Sequence, residues 1–184
     1  MVMYDWKKIF RQSAPILTGT AFVGILGGQI LNSINTILVE IPTLLFLLPV
    51  INAVGGNLGT VLGARISSGF HSGYIEPTLG DIEMRENMMF SLILGGLTYL
   101  LLALGVAGSS LVLPLGIIAF NLFIIIIGTG FLLTIFMIIL TIIVSIFSVK
   151  KRLDPDNVLT PVVTTSGDFM GIGFLLMMIW LVIL

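Results

Sequence analysis

The stretch PVVTTSGDFMGIGFLLMMIWLVIL, residues 161–184, decides the fold class because it is long, apolar and carries a single charged residue, Asp168. An α-helix needs about 20 predominantly apolar residues to cross the hydrocarbon core of a bilayer. A charged side chain at that depth costs at least about 2.5–3.5 kcal/mol, so it normally faces a partner or a water-filled path. The stretch therefore predicts a membrane-spanning helix with one functional carboxylate.

The composition of the whole chain indicates the same class. Its 184 residues are 57% hydrophobic and 9% charged, with a mean hydropathy of +1.19. There is no cysteine and one histidine, His71, which excludes disulfides, thiolate metal sites and Cys/His zinc sites. Oxygen ligands remain, and they favour hard cations such as Mg²⁺ or Ca²⁺. A net charge of −1 without a large basic cluster gives no indication of nucleic-acid binding.

Five apolar segments predict an all-α integral membrane protein with five transmembrane helices. The first segment is too long for the apolar core of a typical signal peptide, so it is interpreted as a span. The fourth would extend about 50 Å as a helix, which predicts that it projects from the bilayer, tilts, or kinks near Gly128 and Gly130. The segments are Ala14–Ile37, Pro42–Ser67, Met88–Ala107, about Leu113–Val149, and Pro161–Leu184.

A short segment precedes the first span. Met3, Trp6 and Phe10 recur at helical spacing among charged residues, which is typical of an amphipathic helix lying in the membrane interface. A disordered tail with an interfacial tryptophan is the alternative. We accordingly divide the chain into an interfacial segment, residues 1–12, and a five-helix cation-transport domain, residues 13–184.

The basic residues predict the orientation of the spans. Cytoplasmic loops of membrane proteins carry an excess of Lys and Arg, and five alternating spans place all such residues of this chain on one side. The opposite side has only Glu40 near its short loops. We expect a multi-pass protein of the cell membrane with a cytoplasmic N-terminus and an external C-terminus. The basic residues are Lys7, Lys8, Arg11, Arg65, Arg85, Lys150, Lys151 and Arg152.

Asp168 is the strongest candidate for a site residue. Thr164 and Thr165 precede it by one helical turn and Gly171 follows it by three residues, so these positions share a helix face. No lysine or arginine is available at that depth to pair with the carboxylate. An acidic, hydroxylated and small face favours cation handling over a purely structural ion pair.

The second span offers a complementary polar segment, GGNLG, residues 55–59. Asn57 lies about 12 Å along a helix from Arg65, and Asp168 lies about 10 Å from Pro161, which is predicted to begin the last helix. Since the two spans run in opposite directions, we expect Asn57 and Asp168 at nearly the same height. The glycines also have a simpler interpretation, because small residues let membrane helices pack closely.

These two segments resemble those of the MgtE family of magnesium channels and its eukaryotic solute-carrier relatives. The resemblance rests on LP at 48–49 and GGNLG at 55–59, then LDPDN at 153–157, TP at 160–161, TT at 164–165 and Asp168. It implies a homodimer with a conduction path at the subunit interface and divalent cations, chiefly Mg²⁺, as substrate. The family's pore aspartate corresponds to Asp168 and its glycine-asparagine segment to Gly56 and Asn57.

Two departures from the family pattern are visible. Thr60 and Val61 stand where the bacterial channels have a polar pair, which is closer to the eukaryotic carriers. Only about a dozen residues precede the first span, so we expect this chain to lack the family's cytoplasmic regulatory domains.

The resulting hypothesis is divalent-cation transport, most simply of Mg²⁺, through a pore between two copies of the chain. Its metal-site residues are Asp168, Asn57, Gly56, Thr164 and Thr165. The predicted partners are a second copy, membrane lipids and the transported cation, with no resident cofactor and no nucleic acid. The alternatives are exchange coupled to Na⁺ or H⁺, and a membrane scaffold that transports nothing.

An enzymatic function is not expected. The Gly167-Asp168 pair is similar to the Gly-Asp pair of intramembrane aspartyl proteases, but that chemistry needs two carboxylates sharing a proton. The other spans contain no aspartate or glutamate at comparable depth.

Overall fold

Five long helices account for most of the chain in the computed structural model, which describes residues 6–33, 39, 42–109 and 118–183. Each helix is long and apolar enough to cross a membrane, and no strand occurs among the described residues. The prediction of an all-α protein with five membrane-spanning helices is therefore confirmed. The helices are α1 (Trp6–Ser33), α2 (Pro42–Ser72), α3 (Ile82–Ser109), α4 (Ala119–Lys150) and α5 (Pro155–Ile183).

The last helix begins earlier than the sequence predicted. The main-chain N–H of Asp156 donates to Oδ1 of Asp154 at 3.1 Å, so Asp154 caps the helix and Pro155 takes its first position. Pro161, the predicted first residue, instead lies inside α5. The sequence contains two pairs of a capping residue followed by proline, Asp154-Pro155 and Thr160-Pro161. The prediction used the second pair as the start of the helix, whereas the structure uses the first.

The other helices also extend beyond their apolar segments. α2 continues past the predicted Ser67 to Ser72, and α3 starts at Ile82, six residues before the predicted Met88. Residues 6–12 form the first turns of α1, with Trp6 and Phe10 both exposed. Several predicted features lie outside the described residues: Met3, Glu40, the end of the first segment at Ile37, and the start of the fourth at Leu113.

Helix α4 forms the centre of the bundle, where it packs against α2, α3 and α5. Leu133 and Met137 are fully buried in this core. The helix is unbroken through Gly128 and Gly130, where the sequence had allowed a kink. Both glycines serve packing, because a Cβ at Gly130 would enter the ring of Tyr99 and one at Gly128 would meet the side chain of Met178.

Helix α2 is joined to its neighbours by glycine contacts and by hydroxyl groups. The Tyr99 hydroxyl of α3 donates to the Ile51 carbonyl at 2.9 Å, and the Thr141 hydroxyl of α4 donates to the Gly59 carbonyl at 3.4 Å. A Cβ at Gly55 would lie 2.6 Å from Leu133 Cδ2. The glycines at these positions therefore allow close helix packing, as small residues do in membrane proteins.

Helix α1 stands at the edge of the bundle. Among the described residues it packs against α5 alone, and most of its surface is exposed. The Asn157 side-chain amide donates to Gln12 Oε1 at 3.0 Å, so α1 and α5 begin at the same end of the molecule. This arrangement leaves a groove between α1 and the rest of the bundle.

The basic residues in the described chain gather at that same end. Phe70 and His71 at the end of α2 share a recess of about 300 Å³ with the α4–α5 connection at 151–154, so both connections lie together with the starts of α1 and α5. Arg65 is tied to α3, since its Nε donates to Asn87 Oδ1 at 2.7 Å and its guanidinium lies 4.9 Å from the centre of the Phe90 ring.

Part of the acidic α2–α3 connection has a structural role. Asp81 caps α3 by accepting the Met84 N–H at 2.9 Å and also accepts the Glu76 N–H at 3.1 Å, and these main-chain bonds lower the pKa of its carboxyl group. Glu83 accepts the Tyr74 hydroxyl at 2.9 Å, and that bond raises the pKa of Tyr74. These two carboxylates are therefore engaged within the connection.

We predict that Gly130→Ala destabilises the bundle by about 1–3 kcal/mol, because the added methyl group would overpack a rigid, fully buried ring. Gly96→Ala is the matched control, since nothing lies within 4 Å of a Cβ at that position. The melting temperature in detergent, followed by size-exclusion chromatography, measures both. Equal melting temperatures for the two variants would contradict the packing at Gly130.

Candidate cation site

Asp168 lies near the middle of α5, 13 residues after Pro155 and 15 before Ile183. That is about 20 Å from either end of the helix, well inside the thickness of a bilayer. The residue is exposed on the surface of the single chain. No basic residue of the described chain forms an ion pair with it, so its charge is not neutralised by these residues.

The carboxylate lines a groove between α1, α2 and α5 with a volume of about 590 Å³. Thr20, Asn52 and Thr165 line the same groove, so several oxygen-bearing groups accompany Asp168 along largely apolar walls. The α1 wall consists mainly of small residues, which keeps the groove open. Those residues are Ala21, Gly24, Gly27 and Gly28.

Asn52 is a site residue that sequence reasoning missed. It is 9% exposed, and its Nδ2 donates to the main-chain carbonyl of Asp168 at 3.2 Å. Its Oδ1 is buried without a hydrogen-bond partner among the described residues. Its position in the sequence could have indicated it. Asn52 is an amide within the apolar run LLFLLPVINAV, residues 44–54, one turn before Gly56. Buried polar groups in membrane helices normally make a contact between helices or have a function.

The other predicted site residues lie near Asp168 in different ways. Thr165 is half-buried and lines the groove with it. Gly56 and Thr164 meet one turn away, where a Cβ on the glycine would lie 3.8 Å from Thr164 Cα. Asn57 is exposed on the next part of α2 and is not among the residues lining the groove. The main-chain carbonyl of Asn57 accepts a hydrogen bond from the Thr60 hydroxyl at 3.0 Å.

The predicted height match between Asn57 and Asp168 is wrong by about one turn. The structure places Asn52 level with Asp168 and Gly56 level with Thr164. The error arises because Arg65 and Pro161, the reference points for the two heights, do not lie level. With Gly56 opposite Thr164, Arg65 lies nine residues further toward the end of the molecule where α5 begins, and Pro161 only three, which is an offset of about 9 Å. Asn57 is consequently closer to the level of Thr164 than to that of Asp168.

The model of the MgtE family, described as a divalent cation transporter, matches residues 48–178. The chain belongs to the MgtE family. The match runs from α2 through most of α5, so it contains Asn52, the glycine-asparagine segment and Asp168. No curated protein matches the chain significantly.

Membership of the MgtE family establishes the general activity. The chain is a multi-pass membrane protein of a family that transports divalent cations. This is a transporter family and not a family of enzymes. The resemblance seen in the sequence at 48–59 and 153–168 is confirmed.

The acidic residues of the described chain are too far apart to form a metal-binding group around Asp168. Within residues 6–33, 39, 42–109 and 118–183, no three His, Asp or Glu side chains lie close enough together to hold a metal ion. The groove offers one carboxylate, together with amide and hydroxyl groups. Mg²⁺ is usually bound through one or two carboxylates while it keeps several waters, so a second chain would double the charge of such a site.

Proposed function

We propose that two copies of the chain form a homodimer that conducts Mg²⁺ along the interface, with Asp168 of each copy facing the path. The observation that supports this most strongly is the exposed, unpaired carboxylate in the middle of α5. A charge on the lipid-facing surface at that depth would be costly. A second copy and a water-filled path would together remove it from lipid.

The exposed face of α2 supports the same dimer. Beside the α2–α5 contact, Ala53 and Asn57 are exposed one turn apart, with Val50 and Val61 exposed on the same face, which gives a surface of small, polar and β-branched side chains. Small and polar residues are typical of contacts between membrane helices. This face would lie against the partner, with Asn57 at the edge of the path.

The chemistry of the residues around Asp168 suits a hydrated Mg²⁺. Two carboxylates supply about two negative charges, and the hydroxyl of Thr165 and the amide of Asn57 can exchange hydrogen bonds with the waters of the ion. The Thr164 hydroxyl donates to the Thr160 carbonyl at 2.8 Å, so it can only accept a hydrogen bond from such a water. Gly56 is buried in the α2–α5 contact, where it lies against Thr164. Mg²⁺ loses water reluctantly, which favours a site that holds the ion through its waters.

The orientation that we propose is a cytoplasmic N-terminus and an external C-terminus. It is supported by the gathering of Arg65, Arg85 and the 150–152 cluster at the end of the molecule where α1 and α5 begin. Excess basic residues mark the cytoplasmic side. The acidic α2–α3 connection would then lie at the cytoplasmic mouth.

We predict that Asp168→Asn lowers Mg²⁺ uptake into proteoliposomes at least about tenfold, because it removes the charge that offsets the ion and each tenfold change corresponds to about 1.4 kcal/mol. Asp156→Asn is the matched control, since Asp156 is an exposed carboxylate in the first turn of the same helix. A Mg²⁺-sensitive dye inside the vesicles measures uptake. Undiminished uptake by Asp168→Asn would remove the residue from the mechanism.

The dimer predicts cross-linking through the exposed face of α2. Because the natural chain has no cysteine, Asn57→Cys introduces one reactive thiol per copy, and a bifunctional thiol reagent should join two copies in native membranes. Leu101→Cys is the control, since Leu101 is 68% exposed on α3 and should face lipid. A cross-linked band for Leu101→Cys but not for Asn57→Cys would contradict this interface.

The orientation predicts one-sided labelling of the α4–α5 connection. A cysteine replacing Lys151, which is exposed, should react with a membrane-impermeant thiol reagent in inside-out vesicles and not in intact cells. The reverse result would place the N-terminus outside.

A further inference from the structure

Asn52 occupies its place in α2 at a cost in stability. Its Oδ1 is buried without a partner among the described residues, and an unsatisfied buried acceptor is unfavourable. Its Nδ2 makes one hydrogen bond, to the main chain of Asp168. An apolar side chain of similar size would remove the unpaired acceptor, so packing alone does not explain an amide at this position.

The contact of Asn52 with α5 also requires a glycine at position 171. A Cβ added at Gly171 would run into Asn52 Oδ1, so only glycine lets the amide reach α5 in this position. Gly171 follows Asp168 by three residues and lies on the same side of the helix. The amide therefore contacts the turn of α5 that carries the carboxylate and no other part of that helix among the bonds described.

We propose that Asn52 is a positioning residue for the Asp168 carboxylate and thereby sets the affinity and selectivity of the site for divalent cations. The bond to the Asp168 carbonyl limits rotation and sliding of α5 against α2, so the carboxylate keeps a fixed depth and direction in the groove. Selectivity between Mg²⁺ and Ca²⁺ depends on the size and rigidity of the ligand cage. This inference rests on the proposed function of Asp168.

The first test replaces the amide by an apolar side chain of similar size. Asn52→Leu should keep the fold and the melting temperature, while the Mg²⁺ concentration for half-maximal uptake rises about five- to tenfold, as expected for one lost hydrogen bond. The preference for Mg²⁺ over Ca²⁺ should fall with it. Thr134→Val is the matched control, because Thr134 is also buried with an unpartnered hydroxyl but lies against Gly95 of α3.

The second test leaves the amide in place and displaces it with a methyl group. Gly171→Ala should raise the half-saturating Mg²⁺ concentration as Asn52→Leu does, because the new Cβ would push Oδ1 and release the Asp168 carbonyl. Gly173→Ala adds the same methyl group to the same helix where nothing lies within 4 Å, and it should change nothing. In the Asn52→Ala background, Gly171→Ala should have no further effect, since the two residues act through one contact.

The outcomes separate this inference from the proposed function when Asp168→Asn is measured in the same assay. If Asp168→Asn abolishes uptake but Asn52→Leu and Gly171→Ala change neither half-saturation nor the Mg²⁺/Ca²⁺ ratio, Asn52 has no positioning role and the role of Asp168 stands. A lower melting temperature with an unchanged ratio would likewise reduce Asn52 to a structural residue. If Asp168→Asn leaves uptake intact, both proposals fall. Should Asn52→Leu fail to fold, the comparison of Gly171→Ala with Gly173→Ala tests the positioning role instead. Equal half-saturating Mg²⁺ concentrations for these two variants would contradict it.

Discussion

The contact between α2 and α5 is the constraint on which the rest of the structure depends. Glycines on both helices allow it, since a Cβ at Gly59 would run into Val163 and one at Gly171 would run into Asn52. Gly167 lies beside Gly56 in the same contact, and Asn52 adds a hydrogen bond across it. Helices this close fix each other's rotation. Because Asp168 is next to Gly167, the same contact determines where the carboxylate faces.

The consequence is a charge on the outside of the bundle. The interior around α4 is filled by apolar side chains and by threonines and serines, and α4 itself carries no acidic residue between Ala119 and Lys150. The polar groups that could handle a cation lie instead on the surface of the single chain, at the groove beside α1 and on the open face of α2. The transport chemistry that we propose therefore lies where another surface would have to cover it.

The sequence predicted the number and type of the helices well because apolar length is a direct consequence of bilayer thickness. It predicted their ends poorly. Asp154 caps α5, but a polar residue seven positions before an apolar segment has the same hydropathy whether it caps a helix or lies in a loop. The heights of Asn57 and Asp168 were counted from Arg65 and Pro161, which are offset by about 9 Å once Gly56 packs against Thr164, and this offset accounts for the error of about one turn.

Asn52 could not be assigned from the sequence for a different physical reason. Its hydrogen-bond partner is a main-chain carbonyl 116 residues away, and every residue type has such a carbonyl, so no side-chain pattern points to it. Gly171, the glycine that accommodates the amide, does not identify Asn52 either. A glycine in a membrane helix indicates that another helix packs closely there, but not which residue of that helix it contacts. The family's motif segments point to the carboxylate, whereas the residue that we propose to position it is visible only once α2 and α5 are packed together. In a site that binds an ion through its water shell, that placement matters as much as the carboxylate itself, because a mobile ligand cannot discriminate ions that differ mainly in size and hydration.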